Sequence, residues 1–98
     1  MDMTKVGSML SEVHGLLHEA KSNVELDTTK GQHLIDRVAA AEASCRAGNL
    51  KPMELGSLLS EVGSGIRASI EKEVSIDNPE AAVIQIKGIL DQLAGMSL

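Results

Sequence analysis

Apolar residues recur at alternating intervals of four and three along four segments of this 98-residue chain. The first series is Val6, Leu10, Val13, Leu17, Ala20 and Val24, and similar series begin at Leu34, Leu55 and Ala82. This spacing places the members of each series on one face of an α-helix. Because a helix with an apolar face must bury it against another element, the pattern predicts four helices that share one core.

Local sequence signals mark where these helices begin and end. Asp27 can cap the free N–H groups of a following helix, and Gly48 is typical of the residue just after a helix. Pro52 and Pro79 are each compatible with a first helical turn, and Asp77 or Asn78 can cap the fourth helix. We therefore expect helices over about residues 4–23, 28–47, 52–74 and 79–95.

Two glycines interrupt the third predicted helix. Gly63 and Gly65 lie two residues apart in the stretch VGSGI. Each interior glycine costs about 1 kcal/mol relative to alanine, so we expect a kink or a frayed turn at this point.

A seven-residue stretch occurs twice with one difference. GSMLSEV at residues 7–13 returns as GSLLSEV at 56–62, and VELD at 24–27 is followed later by VSID at 74–77. Duplication of one helical hairpin explains both matches, and convergence of two amphipathic helices on a common pattern is the alternative. Either way we predict an all-α, four-helix bundle in one domain over residues 1–98, built from two helical hairpins at about 4–47 and 52–95.

Composition excludes several classes of function. The chain has no Phe, Tyr or Trp and a net charge of −5, so it lacks both the stacking rings and the basic surface that favour nucleic-acid binding. The opening residues MDMTKVGS do not resemble a signal peptide, and no apolar run is long enough to cross a membrane. Because Cys45 is the only cysteine and no internal disulfide can form, we expect a cytoplasmic protein without membrane contact.

Residues that could carry chemistry are few. His14 and His18 are spaced as a metal-binding pair on a helix would be, but no second closely spaced pair accompanies them, so we predict no metal site. Cys45 lies on an apolar series and is expected to behave as a small buried side chain. No phosphate-binding loop or nucleophile motif is present, and we predict neither an enzyme nor a cofactor.

Small residues form a separate strip on two of the predicted helices. At 100° per residue these strips lie away from the apolar faces, and they consist of Gly7, Ser11 and Gly15 on the first helix and Gly56, Ser60 and Gly63 on the third. Glycine is costly in a helix and permits close backbone approach, which favours a contact surface. Plain solvent exposure is the alternative interpretation.

These observations favour a non-catalytic protein–protein interaction module. The first hypothesis is a small helical adaptor, chaperone or self-assembling subunit that contacts protein partners, including copies of itself, through the six strip residues. The second is a small acidic regulator or inhibitor, of the type carried by phages and plasmids, which blocks a partner's binding surface. A metal-dependent or thiol-dependent activity ranks below both.

Overall fold

Four helices account for the regular structure of the chain. The computed structural model describes residues 3–23, 26–72 and 82–96, with the backbone alone for residues 69–72. The helices are α1 (Met3–Ser22), α2 (Thr28–Arg46), α3 (Pro52–Lys72) and α4 (Ala82–Met96). No strand occurs in these ranges, which confirms the prediction of an all-α fold with four helices. The matched segments 24–25 and 74–77 and the expected start of the fourth helix lie outside the described residues.

The ends of α2 show why the sequence signals predicted them well. The Asp27 carboxylate accepts hydrogen bonds from the backbone N–H groups of Thr29 and Lys30, both at 3.1 Å. After α2, Gly48 adopts a φ of +74°, a conformation that side-chain-bearing residues rarely adopt. In this turn the backbone N–H of Asn49 donates to the Ser44 carbonyl at 2.8 Å, which terminates the helix.

The apolar series meet in one core cluster. The members fully or almost fully withdrawn from solvent include Val6, Leu10, Val13 and Leu17 of α1, Leu34 and Val38 of α2, Leu55, Val62 and Ile66 of α3, and Ile86 and Leu93 of α4. This confirms the predicted inward faces of all four helices. The exceptions are half-buried. Leu59 and Ile89 yield the inward position to their neighbours Leu58 and Leu90, and Met96 lies at the end of α4.

Each helix packs against two others. α1 lies next to α2 and α4, and α3 lies next to the same two helices, whereas within the described ranges no Cα atoms of α1 and α3, or of α2 and α4, come within 8 Å of each other. The helices therefore stand at the corners of a four-sided bundle. Only five, five and nine residues separate successive helices, and we therefore expect consecutive helices to run in opposite directions. None of the described helices combines the length and apolar character that crossing a membrane requires.

The frayed turn expected in α3 is wrong, because the helix continues without interruption from Pro52 to Lys72, whereas the kink stays a prediction. A Cβ atom built on Gly65 would lie 2.9 Å from Cδ1 of Leu34, so the missing side chain lets α2 approach α3 closely. Packing against α2 thus offsets the intrinsic cost of a glycine inside the helix.

Candidate binding groove between the third and fourth helices

The two small-residue strips lie in different surroundings. Ser11, Gly15, Gly56 and Ser60 are exposed. Gly7 is half-buried, and a Cβ atom there would lie 3.3 Å from the Sγ of Cys45 on α2. On α1, therefore, Gly7 allows close packing of α1 against α2 inside the molecule.

The strip on α3 borders an open groove. Ser60 and Gly63 line a cleft of about 620 Å³ between α3 and α4, which we call the α3–α4 groove. Its apolar walls are Leu59 and Ile66 of α3 and Ile84 and Leu90 of α4. A Cβ atom built on Gly63 meets no atom within 4 Å. The absent side chain at Gly63 thus leaves space in the groove rather than making room for a neighbouring helix.

Charged side chains stand at the edge of this groove. Arg67 of α3 and Lys87 of α4 line it together with Asp91, and all three are exposed. If α3 and α4 run in opposite directions, Arg67 and Lys87 lie at the same end of the groove, and Asp91 follows Lys87 by about one turn of α4. Among the side chains that the structure describes, none forms an ion pair or hydrogen bond with Arg67, Lys87 or Asp91.

The position equivalent to Gly63 in the first copy of the seven-residue stretch carries a polar side chain that bridges two helices. His14 follows GSMLSEV as Gly63 follows GSLLSEV. The Nδ1 atom of His14 donates to Oε1 of Glu42 on α2 at 2.7 Å, and Arg46 contacts the other carboxylate oxygen at 3.2 Å. Glu42 is only 6% exposed, so these two partners replace the hydrogen bonds that its carboxylate would make to water. Where α1 and α2 place an imidazole and a carboxylate, α3 and α4 leave an apolar opening.

A second histidine–glutamate pair joins α2 to α3 at the surface. Nε2 of His33 contacts Oε1 of Glu61 at 2.8 Å, and Nε of Arg37 donates to Oε2 of the same residue at 3.1 Å. These side chains are largely in solvent, so their interaction is screened and contributes less than the pair at Glu42.

The remaining chemical candidates are engaged in packing. The rings of His14 and His18 lie 5.1 Å apart in a tilted contact, and His14 is already bonded to Glu42. The buried Cys45 thiol donates to the Met3 carbonyl at 3.2 Å. Within the described residues, no group of three or more His, Cys, Asp or Glu side chains is placed to hold a metal ion.

Sequence reasoning named Ser60 and Gly63 but missed their apolar and charged neighbours. The structure does not bring the six strip residues together, since Gly7 and Ser11 line a depression between α1 and α2 while Ser60 and Gly63 line the α3–α4 groove. The opposite wall could have been found from the spacing of residues on α4, since positions 84, 87, 91 and 94 recur at helical intervals and share one face.

Comparison with known proteins found no matching family model, curated protein or solved structure.

Proposed function

We propose that this protein is a non-catalytic protein–protein interaction module, a small helical adaptor, chaperone or self-assembling subunit, which binds its partner through the α3–α4 groove. The observation that carries the proposal is the groove itself. Its walls are apolar, Gly63 leaves its floor open, and no described part of the chain fills it. Apolar clefts with a few polar groups at the edge are the usual form of a binding site.

The small residues on α3 allow a partner to approach the backbone of the groove closely. Ser60 is exposed at its border, and a helix laid along the groove could come close to the backbone at Gly63. On α1, by contrast, Gly7 already contacts Cys45, and Glu42 and Arg46 occupy the depression beside Ser11. We therefore assign the partner surface to the strip on α3, with Gly56 at its margin.

The proposal extends to the origin of the two halves. A hairpin of α1 and α2, duplicated as α3 and α4, accounts for the two copies of the seven-residue stretch. In support, Val13 and Val62 are both fully buried, while Ser11 and Ser60 are both exposed. After duplication, the position of His14 in one copy became Gly63 in the other, and the second copy gained a binding groove.

A matched pair of serine variants tests the proposed surface. Ser60→Leu places a branched side chain at the border of the groove, and forcing bulk into a packed contact typically costs about 1–3 kcal/mol, which weakens association about tenfold or more. Ser11→Leu makes the same change at the same step of the other repeat and should associate as the wild type does. Both should keep wild-type circular dichroism, since both positions are exposed.

Association is measured in two ways. Sedimentation equilibrium of the full chain across micromolar concentrations reports self-association, and a photoreactive amino acid at position 60 or at position 11 reports contacts with other proteins in the cell. Self-association or a specific crosslink that depends on position 60 supports the proposal. A monomeric chain with no crosslink from position 60, or equal behaviour of the two variants, contradicts it.

A further inference from the structure

The charged side chains at the edge of the α3–α4 groove indicate which kind of ligand the groove would bind. The chain has a net charge of −5, yet the groove is lined by one basic side chain from each wall, Arg67 of α3 and Lys87 of α4. No described side chain neutralises either of them. Two cations beside an apolar cleft, without a partner among the described side chains, are complementary to acidic groups on a ligand.

The length of the groove accommodates about two turns of a helix. The residues of α3 that line it run from Leu59 to Arg67, which corresponds to about 12 Å or two helical turns. Apolar side chains at positions i, i+4 and i+7 of a partner helix span the same length. Gly63 lies in the middle of this run, where the absent side chain permits the closest approach.

A second copy of the chain does not supply such a helix. The apolar faces of its helices are buried in its own core, and Met53, 84% exposed, is the only large hydrophobic side chain among the described residues that is exposed. One exposed methionine cannot provide anchors on successive turns. The described helices of a second copy therefore do not supply the occupant, and among the forms of the proposed function this favours an adaptor or chaperone for a different protein over a self-assembling subunit.

We propose that the α3–α4 groove binds an amphipathic helix of a partner protein whose apolar face is bordered by acidic side chains, which pair with Arg67 and Lys87. Asp91, one turn along α4, repels a further acid and favours a basic residue on the adjacent turn of the partner. This inference rests on the proposed function and adds the chemistry of the partner.

The probe is a display library of helical peptides about 16 residues long, a little over four turns, with randomised apolar and border positions. Selection uses the full chain, followed by removal of peptides that also bind Gly63→Leu, in which a side chain fills the groove. We expect the remaining peptides to carry apolar residues at i, i+4 and i+7 and an excess of Asp and Glu at one border.

Binding of a selected peptide is then measured by fluorescence anisotropy against four variants. Gly63→Leu should weaken binding at least about tenfold, whereas Gly15→Leu, an exposed helical glycine on α1, should not. Reversal of both groove charges, Arg67→Glu with Lys87→Glu, should also weaken it about tenfold. The matched reversal Lys30→Glu with Lys51→Glu changes the net charge equally at exposed positions away from the groove and should leave binding unchanged.

The outcomes separate the inference from the proposed function. A peptide whose acidic residues are changed to lysine should bind the doubly reversed protein again but not the wild type. This result supports the inference. Peptides that depend on Gly63 but ignore the charge reversal, or that show no acidic excess, overturn it and leave the proposed function standing. If no peptide binds in a way that depends on Gly63, both fail. If dodecanoate alone occupies the groove, shifting the amide resonances of Gly63 and Leu90, the ligand is an anionic amphiphile and the partner helix is ruled out.

Discussion

The contact between His14 and Glu42 lends itself to a quantitative test of how α1 and α2 are held together. His14→Ala leaves a carboxylate that is 6% exposed with Arg46 as its remaining partner. Removing one member of a buried ion pair typically costs about 3–5 kcal/mol. Because Arg46 still contacts one oxygen and His14 was itself about one-third exposed, we expect a smaller loss of about 2 kcal/mol in the free energy of unfolding.

Removing the charge as well should restore most of that loss. Apolar replacement of a buried ionic group is often neutral or stabilising, so Glu42→Leu should change the free energy of unfolding by less than about 1 kcal/mol. The double variant, His14→Ala with Glu42→Leu, should then be more stable than His14→Ala alone. Urea unfolding followed by circular dichroism measures all three variants and gives the coupling energy between the two positions.

The surface pair supplies the control. His33 contacts Glu61 at 2.8 Å, nearly the same distance as in the buried pair, but the two side chains are 65% and 35% exposed. His33→Ala should therefore cost less than about 0.5 kcal/mol. Equal losses for His14→Ala and His33→Ala would refute the argument that burial of Glu42 sets the magnitude. A double variant no more stable than His14→Ala would refute it as well.

Four further substitutions test the fold. Val13→Asp should abolish the cooperative thermal transition seen by circular dichroism, because it places an unpaired carboxylate at a fully buried position; wild-type thermal stability would mean that this face of α1 is not in the core. Gly15→Ala should raise the free energy of unfolding measured in urea by up to about 1 kcal/mol. At Gly65 the added Cβ must displace Leu34, so Gly65→Ala should raise it less or lower it. An equal gain at both positions would contradict the close contact between Gly65 and Leu34. Asp27→Ala should cost about 1 kcal/mol through loss of the helix cap, and no measurable change would show that the two backbone hydrogen bonds contribute nothing.

The helices could be predicted from the sequence because their signals are local. An apolar residue every three or four positions defines a face, and a capping aspartate or a terminal glycine acts within a few residues. Val13 and Val62 were therefore placed correctly in the core, and Asp27 and Gly48 at the ends of α2. None of these interpretations requires knowing which helix is the neighbour.

The groove and the buried pair depend on the neighbour and could not be predicted in that way. Glu42 lies in an alanine-rich helix, where a glutamate is normally a surface residue, and only the approach of His14 explains its burial. Glycines posed the same difficulty. Gly7 and Gly65 contact another helix, whereas Gly63 opens a groove, and the sequence around the three does not distinguish these roles.

The contact between α1 and α4 has a consequence for how the bundle forms. It joins the first and last helices, with all of α2 and α3 between them in the chain, whereas every other contact joins consecutive helices. Contacts between consecutive helices close short loops and form quickly, while the α1–α4 contact requires closure of a loop that contains half of the bundle. We therefore expect docking of α4 onto α1 to be the slow, non-local step of folding. Because the α3–α4 groove lies between consecutive helices, it can form before this step, but α4 takes its final place in the bundle only when the α1–α4 contact is made.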